Sequence, residues 1–165
     1  MSAEADKRGN AVKAALARIP KMTDASSLRA LIANARRMDA SEVEEAAGRR
    51  LLRVRADAEP GDALPGSLEH DVWQAIGAIE EMKSEAAGKT IRLSYLRRDI
   101  QTLGVLPAID KLVSKPGPSE RFDELRAAGR IDLTAEAVVL NHRSAFSDTA
   151  IARAKERLAT IERET

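Results

Sequence analysis

Leu28, Leu31, Ile32 and Ala35 recur at i, i+3, i+4 and i+7. An α-helix turns once every 3.6 residues, so this spacing gathers four apolar side chains on one helical face. The same period returns along the chain, at Val12, Ala15, Leu16 and Ile19, then at Val43, Ala47, Leu51 and Val54. Leu68, Val72, Ile76 and Ile79 repeat it, and so do Ile151, Ala154, Leu158 and Ile161. No segment alternates apolar and polar residues as a half-buried strand would. Each stripe is too narrow to hold an isolated helix in water, so the helices must bury their stripes on one another. The expected fold is all-α, a multi-helix bundle.

Composition agrees with helix. The 165 residues include four aromatics, Trp73, Tyr95, Phe122 and Phe146, so the core must be built from Ala, Leu, Ile and Val. Few aromatics beside abundant Ala, Leu, Glu and Arg favour helix over sheet. The apolar share of 44% lies in the globular range and argues against disorder. There is no cysteine, which excludes disulfides, thiolate zinc sites and cysteine nucleophiles. The opening MSAEADKRGN lacks the apolar core of a secretory signal. No run approaches the roughly 18 apolar residues of a membrane helix. The chain reads as soluble and cytoplasmic.

Caps and breakers set the boundaries. Pro20 disfavours helix at Ile19 and ends a first helix there. Thr23 or Asp24 caps a second helix, which stops near Met38. Ser41 and Glu44 have the S-x-x-E spacing of a capping box and open a third helix, so the second and third make a hairpin. The stretch 57–66, DAEPGDALPG, holds two Pro and two Gly and reads as a loop. It separates an N-terminal helical hairpin region, 1–58, from a C-terminal helical domain, 67–165. In the latter, Ser67 opens a long helix closed by Gly88, and Thr90 caps a helix through Leu103. A helix over 105–114 follows Gly104. Ser119, Thr134 and Ser147 cap three more.

Charge is uneven. Residues 60–88 carry one base, Lys83, against six acids. Residues 89–115 carry six bases, Lys89, Arg92, Arg97, Arg98, Lys111 and Lys115, against two acids. A change of sign between neighbours suggests two faces with different partners, or runs that are solvated and pair with each other. The basic stretch also has the outline of a helix-turn-helix centred on Gly104. In the preferred register the helix 90–103 lies in the major groove of double-stranded DNA. Leu93, Leu96, Ile100 and Leu103 form its buried stripe. Arg98 and Gln101 are side-chain types that read guanine and adenine edges, with Arg92 and Arg97 as further readers. Ser94 and Tyr95 suit phosphate, as do Lys89, Lys111 and Lys115. Arg49, Arg50, Arg53 and Arg55 suit the C-terminal dipole of the third helix, or else phosphate.

Other chemistry finds little footing. His70 has no second histidine at i+4, and its flanking carboxylates diverge around the helix. His142 reads as a capping histidine. Glu44/Glu45 and Glu80/Glu81 are neighbours that diverge by about 100°, so neither is an acid–base dyad. Gly88-Lys89-Thr90 lacks the upstream glycine and the strand of a phosphate-binding loop. No catalytic residue, metal or cofactor is expected.

Residues 28–51, LRALIANARRMDASEVEEAAGRRL, and 68–105, LEHDVWQAIGAIEEMKSEAAGKTIRLSYLRRDIQTLGV, resemble a poorly characterised family of bacterial helical modules. VVLNHRSAFSDTAIARAKERL, residues 138–158, fits the same pattern. Members occur alone or beside nuclease-type domains, so the resemblance implies DNA-related work. The expected function is therefore a DNA-binding accessory or regulatory module and not an enzyme. The competing class is a protein-interaction adaptor, which would recruit a protein partner through the acidic helix 67–87 and an apolar groove near Trp73.

Overall fold

The computed structural model describes residues 3–164, and among them it contains nine α-helices and no strand. The chain divides into two compact units between Pro60 and Gly61, inside the Pro- and Gly-rich stretch.

The first unit holds α1 (Ala3–Arg18), α2 (Ala25–Arg37) and α3 (Ser41–Asp57). Pro20 ends α1 in a short 3-10 turn, Ile19–Lys21. Asp24 caps α2, its carboxylate accepting from the Ser27 amide at 2.7 Å and the Ser27 hydroxyl at 2.6 Å. These hydrogen bonds, the hydroxyl's first, hold the Asp24 carboxyl below its ordinary value. The expected Ser41/Glu44 capping box does not form. Asp39 takes a left-handed φ of 53°, and the amides of Asp39 and Ala40 donate back to Arg36 and Ala35. This is a Schellman closure of α2. It makes Ala40 the last residue of that closure and also the N-cap of α3, so Ser41 falls inside the helix. Glu44 is drawn instead to Arg36, 2.6 Å away. Ile19, Leu28, Ala35, Val43, Ala47 and Leu51 form the core between the helices.

The second unit is built on α4 (Leu68–Ala87), with α5 (Ser94–Leu103), α6 (Val105–Ser114), α7 (Glu120–Ala127), α8 (Ala135–Asn141) and α9 (Asp148–Glu164). Ser67, Ser119, Thr134 and Ser147 each accept the amide three residues on, as N-caps do. The long helix α4 packs on α6 and α8, and α8 and α6 in turn pack on α9. Val72, Ile76, Ile79, Ile109, Val113 and Val139 are buried among them.

The helix expected from Thr90 begins only at Ser94, because the preceding amides are taken by side chains of α4. Ser84 Oγ accepts from the Ile91 amide at 2.8 Å, and Glu80 Oε1 accepts from the Leu93 amide at 2.8 Å. Those bonds lay residues 89–93 along α4 as non-helical chain. Leu103, expected in the buried stripe, is 45% exposed at the end of α5, while Leu93, Leu96 and Ile100 are buried.

Candidate nucleic-acid interface

The basic segment forms three consecutive pieces: the non-helical strip 89–93, then α5, then α6. A single residue, Gly104, joins the two helices, with φ 91° and ψ 163°. That backbone conformation is open in practice to glycine alone. It lets α6 start at once and fold back on α5.

The pieces bring the expected contact residues to different fates. Ser94, Arg98 and Gln101 are exposed and share one face of α5, at i, i+4 and i+7. Tyr95 stands beside them, 80% exposed. The Arg98 guanidinium lies over the Tyr95 ring, 5.8 Å from its centroid. Lys89 and Arg92 are exposed on the strip, and Lys115 is exposed at the end of α6. Lys111 is exposed too and reaches Asp99 across the α5–α6 turn at 3.4 Å, a weak surface pair.

Arg97 departs from the expected set. Its Nε donates to Glu80 Oε1 at 2.7 Å and its Nη2 donates to Oε2 at 2.9 Å. The guanidinium also covers the Trp73 ring, 5.3 Å from its centroid. Glu80 is 1% exposed and Trp73 is 8% exposed. Arg97 therefore neutralises a buried carboxylate and roofs a buried indole, and its head group is spent inside the unit. The same arrangement leaves Trp73 covered where the sequence suggests an apolar groove.

Glu80 stands outside the residues expected at this site, although its spacing marks it. It lies four residues after Ile76 and seven after Trp73, so it sits in line with the apolar face of α4. A carboxylate there needs a buried cationic partner. Other charged side chains of α4 are engaged within the unit as well. Asp71 Oδ2 is 2.7 Å from His142 Nε2, and Lys83 donates to Glu124 at 2.9 Å. His142 thus ties the end of α8 to α4. His70 is buried, its Nδ1 3.1 Å from Gln74 Nε2. Among the described residues no three His, Cys, Asp or Glu side chains converge as metal ligands.

Behind α5 lies a cavity of ≈ 40 Å³, lined by Ile76, Leu93, Leu96, Phe122 and Val138 among others. It has room for a water or two but not for an organic ligand. Among the described residues, no helix is long and apolar enough to cross a membrane. Compared with protein-family models, curated proteins and solved structures, the chain matches none.

Proposed function

We propose that the chain is a DNA-binding accessory module whose binding surface is the outer face of α5 with the cations that flank it. One observation carries this reading: Ser94, Arg98 and Gln101 are exposed in a line along one helix face, with exposed Lys89, Arg92, Lys111 and Lys115 before and after it in the chain. Lysines and arginines exposed in this way neutralise phosphates and release counterions. Arg98 and Gln101 are adjacent on the helix, and both are types that hydrogen-bond base edges. Arg97 is left out of the binding set, because its charge is already matched by Glu80.

The test is binding of the full chain to one mixed-sequence DNA, offered as a duplex and as its separate strand, across a salt series. Arg92→Ala/Arg98→Ala is measured alongside; both side chains are exposed, so the fold should be kept. Binding should weaken steeply with salt. The double variant removes two cations from that surface and should lower the slope, by about one for each that had neutralised a phosphate. A folded protein that binds neither form at low salt would sink the reading.

A second reading, a protein-interaction adaptor, draws on the same patch. Tyr and Arg are the types that dominate protein hot spots, and Tyr95, Arg98 and Leu103 are exposed together at α5. The acidic helix offers this reading less, since Glu80 and Asp71 are engaged within the unit. Salt-insensitive capture of one protein partner, lost in Tyr95→Ala, would favour the adaptor.

A further inference from the structure

Tyr95 is the sole tyrosine of the chain, and it stands almost wholly in solvent on a helix whose apolar residues Leu96 and Ile100 are buried. Solvent exposure of this degree is not what a structural anchor needs. What the ring does hold is Arg98, whose guanidinium covers one face of it at 5.8 Å. A cation over an aromatic face is a favourable pair, and it favours Arg98 lying beside the ring. At 80% exposure the rest of the ring is open to a ligand.

A double helix has little use for the exposed ring of Tyr95. Its bases are stacked on each other and show a bound protein only edges and phosphates. An unpaired base has a free π-face, and stacking on an exposed aromatic beside cations is how single strands are held without base-edge readout. Besides Arg98, other exposed cations lie close in the chain or on the neighbouring helix. Arg92 lies three residues before Tyr95, Lys111 approaches Asp99 one turn after it, and Ser94 adjoins it in sequence.

We infer that this surface takes single-stranded DNA, with one unpaired base stacked on Tyr95 and its neighbouring phosphates on Arg92, Arg98 and Lys111. The inference rests on the DNA-binding reading above and narrows it from DNA in general to an unpaired strand.

The experiment compares an oligo-dT strand with a duplex of equal length, using the full chain and the variants Tyr95→Phe, Tyr95→Leu and Arg98→Ala. The strand should bind more tightly than the duplex. Tyr95→Phe should keep that affinity, and Tyr95→Leu should lose roughly tenfold or more. Tyr95→Leu removes no charge, so its salt slope should match the parent, while Arg98→Ala should flatten the slope. Duplex bound as tightly as the strand, with Tyr95→Leu unaffected and Arg98→Ala weakened, would overturn the stacking inference and leave the DNA-binding reading standing. Equal loss in Tyr95→Phe and Tyr95→Leu would overturn it too, since the hydroxyl and not the ring would then meet the strand. Binding of neither nucleic acid would overturn both readings.

Discussion

Glu80 is a full charge taken out of water, and with Ser84 it sets where α5 starts. One of its oxygens receives the Leu93 amide and Arg97 Nε, and the other receives Arg97 Nη2. A fork-shaped guanidinium meeting a carboxylate at both oxygens is the strongest form such a pair takes. The pair is worth little compared with apolar residues of the same volume, but losing one partner strands the other. Arg97→Met should therefore cost about 3–5 kcal/mol in urea unfolding. Trp73, the only tryptophan, should report the missing roof by a red shift in emission. Adding Glu80→Gln should recover part of that cost, because the amide oxygen still accepts from Leu93 and no charge is left buried. A double variant no more stable than Arg97→Met would show that the carboxylate is not what Arg97 serves. This pair was half legible in the sequence. Glu80 lies on an apolar stripe, which demands a partner, but nothing in the spacing says which of the nearby cations answers.

Helices were legible wherever the cap and the stripe agree. Ser67, Ser119, Thr134 and Ser147 cap as their sequences predict, and Gly88 closes α4 with φ 65°. Where a side chain from another element competes for the backbone, local reading fails. Thr90 has the look of a cap, yet Ser84 and Glu80 claim the following amides and delay the helix to Ser94. Ser41 has the spacing of a capping box, yet Asp39 already closes α2 and shifts the start of α3. Gly104 is a case where one residue decides an element. A Cβ there would meet only Pro107 Cδ at 3.7 Å, an ordinary approach, so Gly104→Ala would be strained by its backbone alone. The expected loss is roughly 1–3 kcal/mol, read by chemical unfolding, with α5 and α6 losing amide protection first. Gly48 makes the opposite case in the same experiment. It lies within α3 with nothing near its missing Cβ, so Gly48→Ala should stabilise by about 0.5–1 kcal/mol. Loss at both positions, or at neither, would contradict the backbone argument.

At the scale of the molecule, each compact unit has its own apolar core, and the two are built differently. The first pairs α2 and α3 as a hairpin with α1 packed on α3, and its buried core residues are Leu, Ile, Val and Ala alone. The second packs α4 on α6 and α8, buries Phe122, Phe146, Trp73 and the Glu136–Arg157 ion pair, and joins the buried Glu80 to a half-buried Arg97. Arg157 Nη2 also donates to the Lys115 carbonyl at the end of α6, which braces the helix that carries Lys111. Periodicity shows a carboxylate such as Glu80 set on an apolar stripe, but not which cation meets it, so the division between an all-apolar core and a charged one is only partly legible in the sequence. It has a consequence for stability. Leu28 is 0% exposed and sits in the first core, where Leu28→Ala removes packing with no polar group to rearrange. The expected cost is about 2–5 kcal/mol, and hydrogen exchange should place it in α2 and α3, whose amides should open faster than in the parent. The same substitution tests whether the stripe at Leu28, Leu31, Ile32 and Ala35 does the work its period implies. If α2 and α3 keep their protection with Leu28 truncated, the hairpin is held by its closures at Asp24 and Asp39 more than by its core.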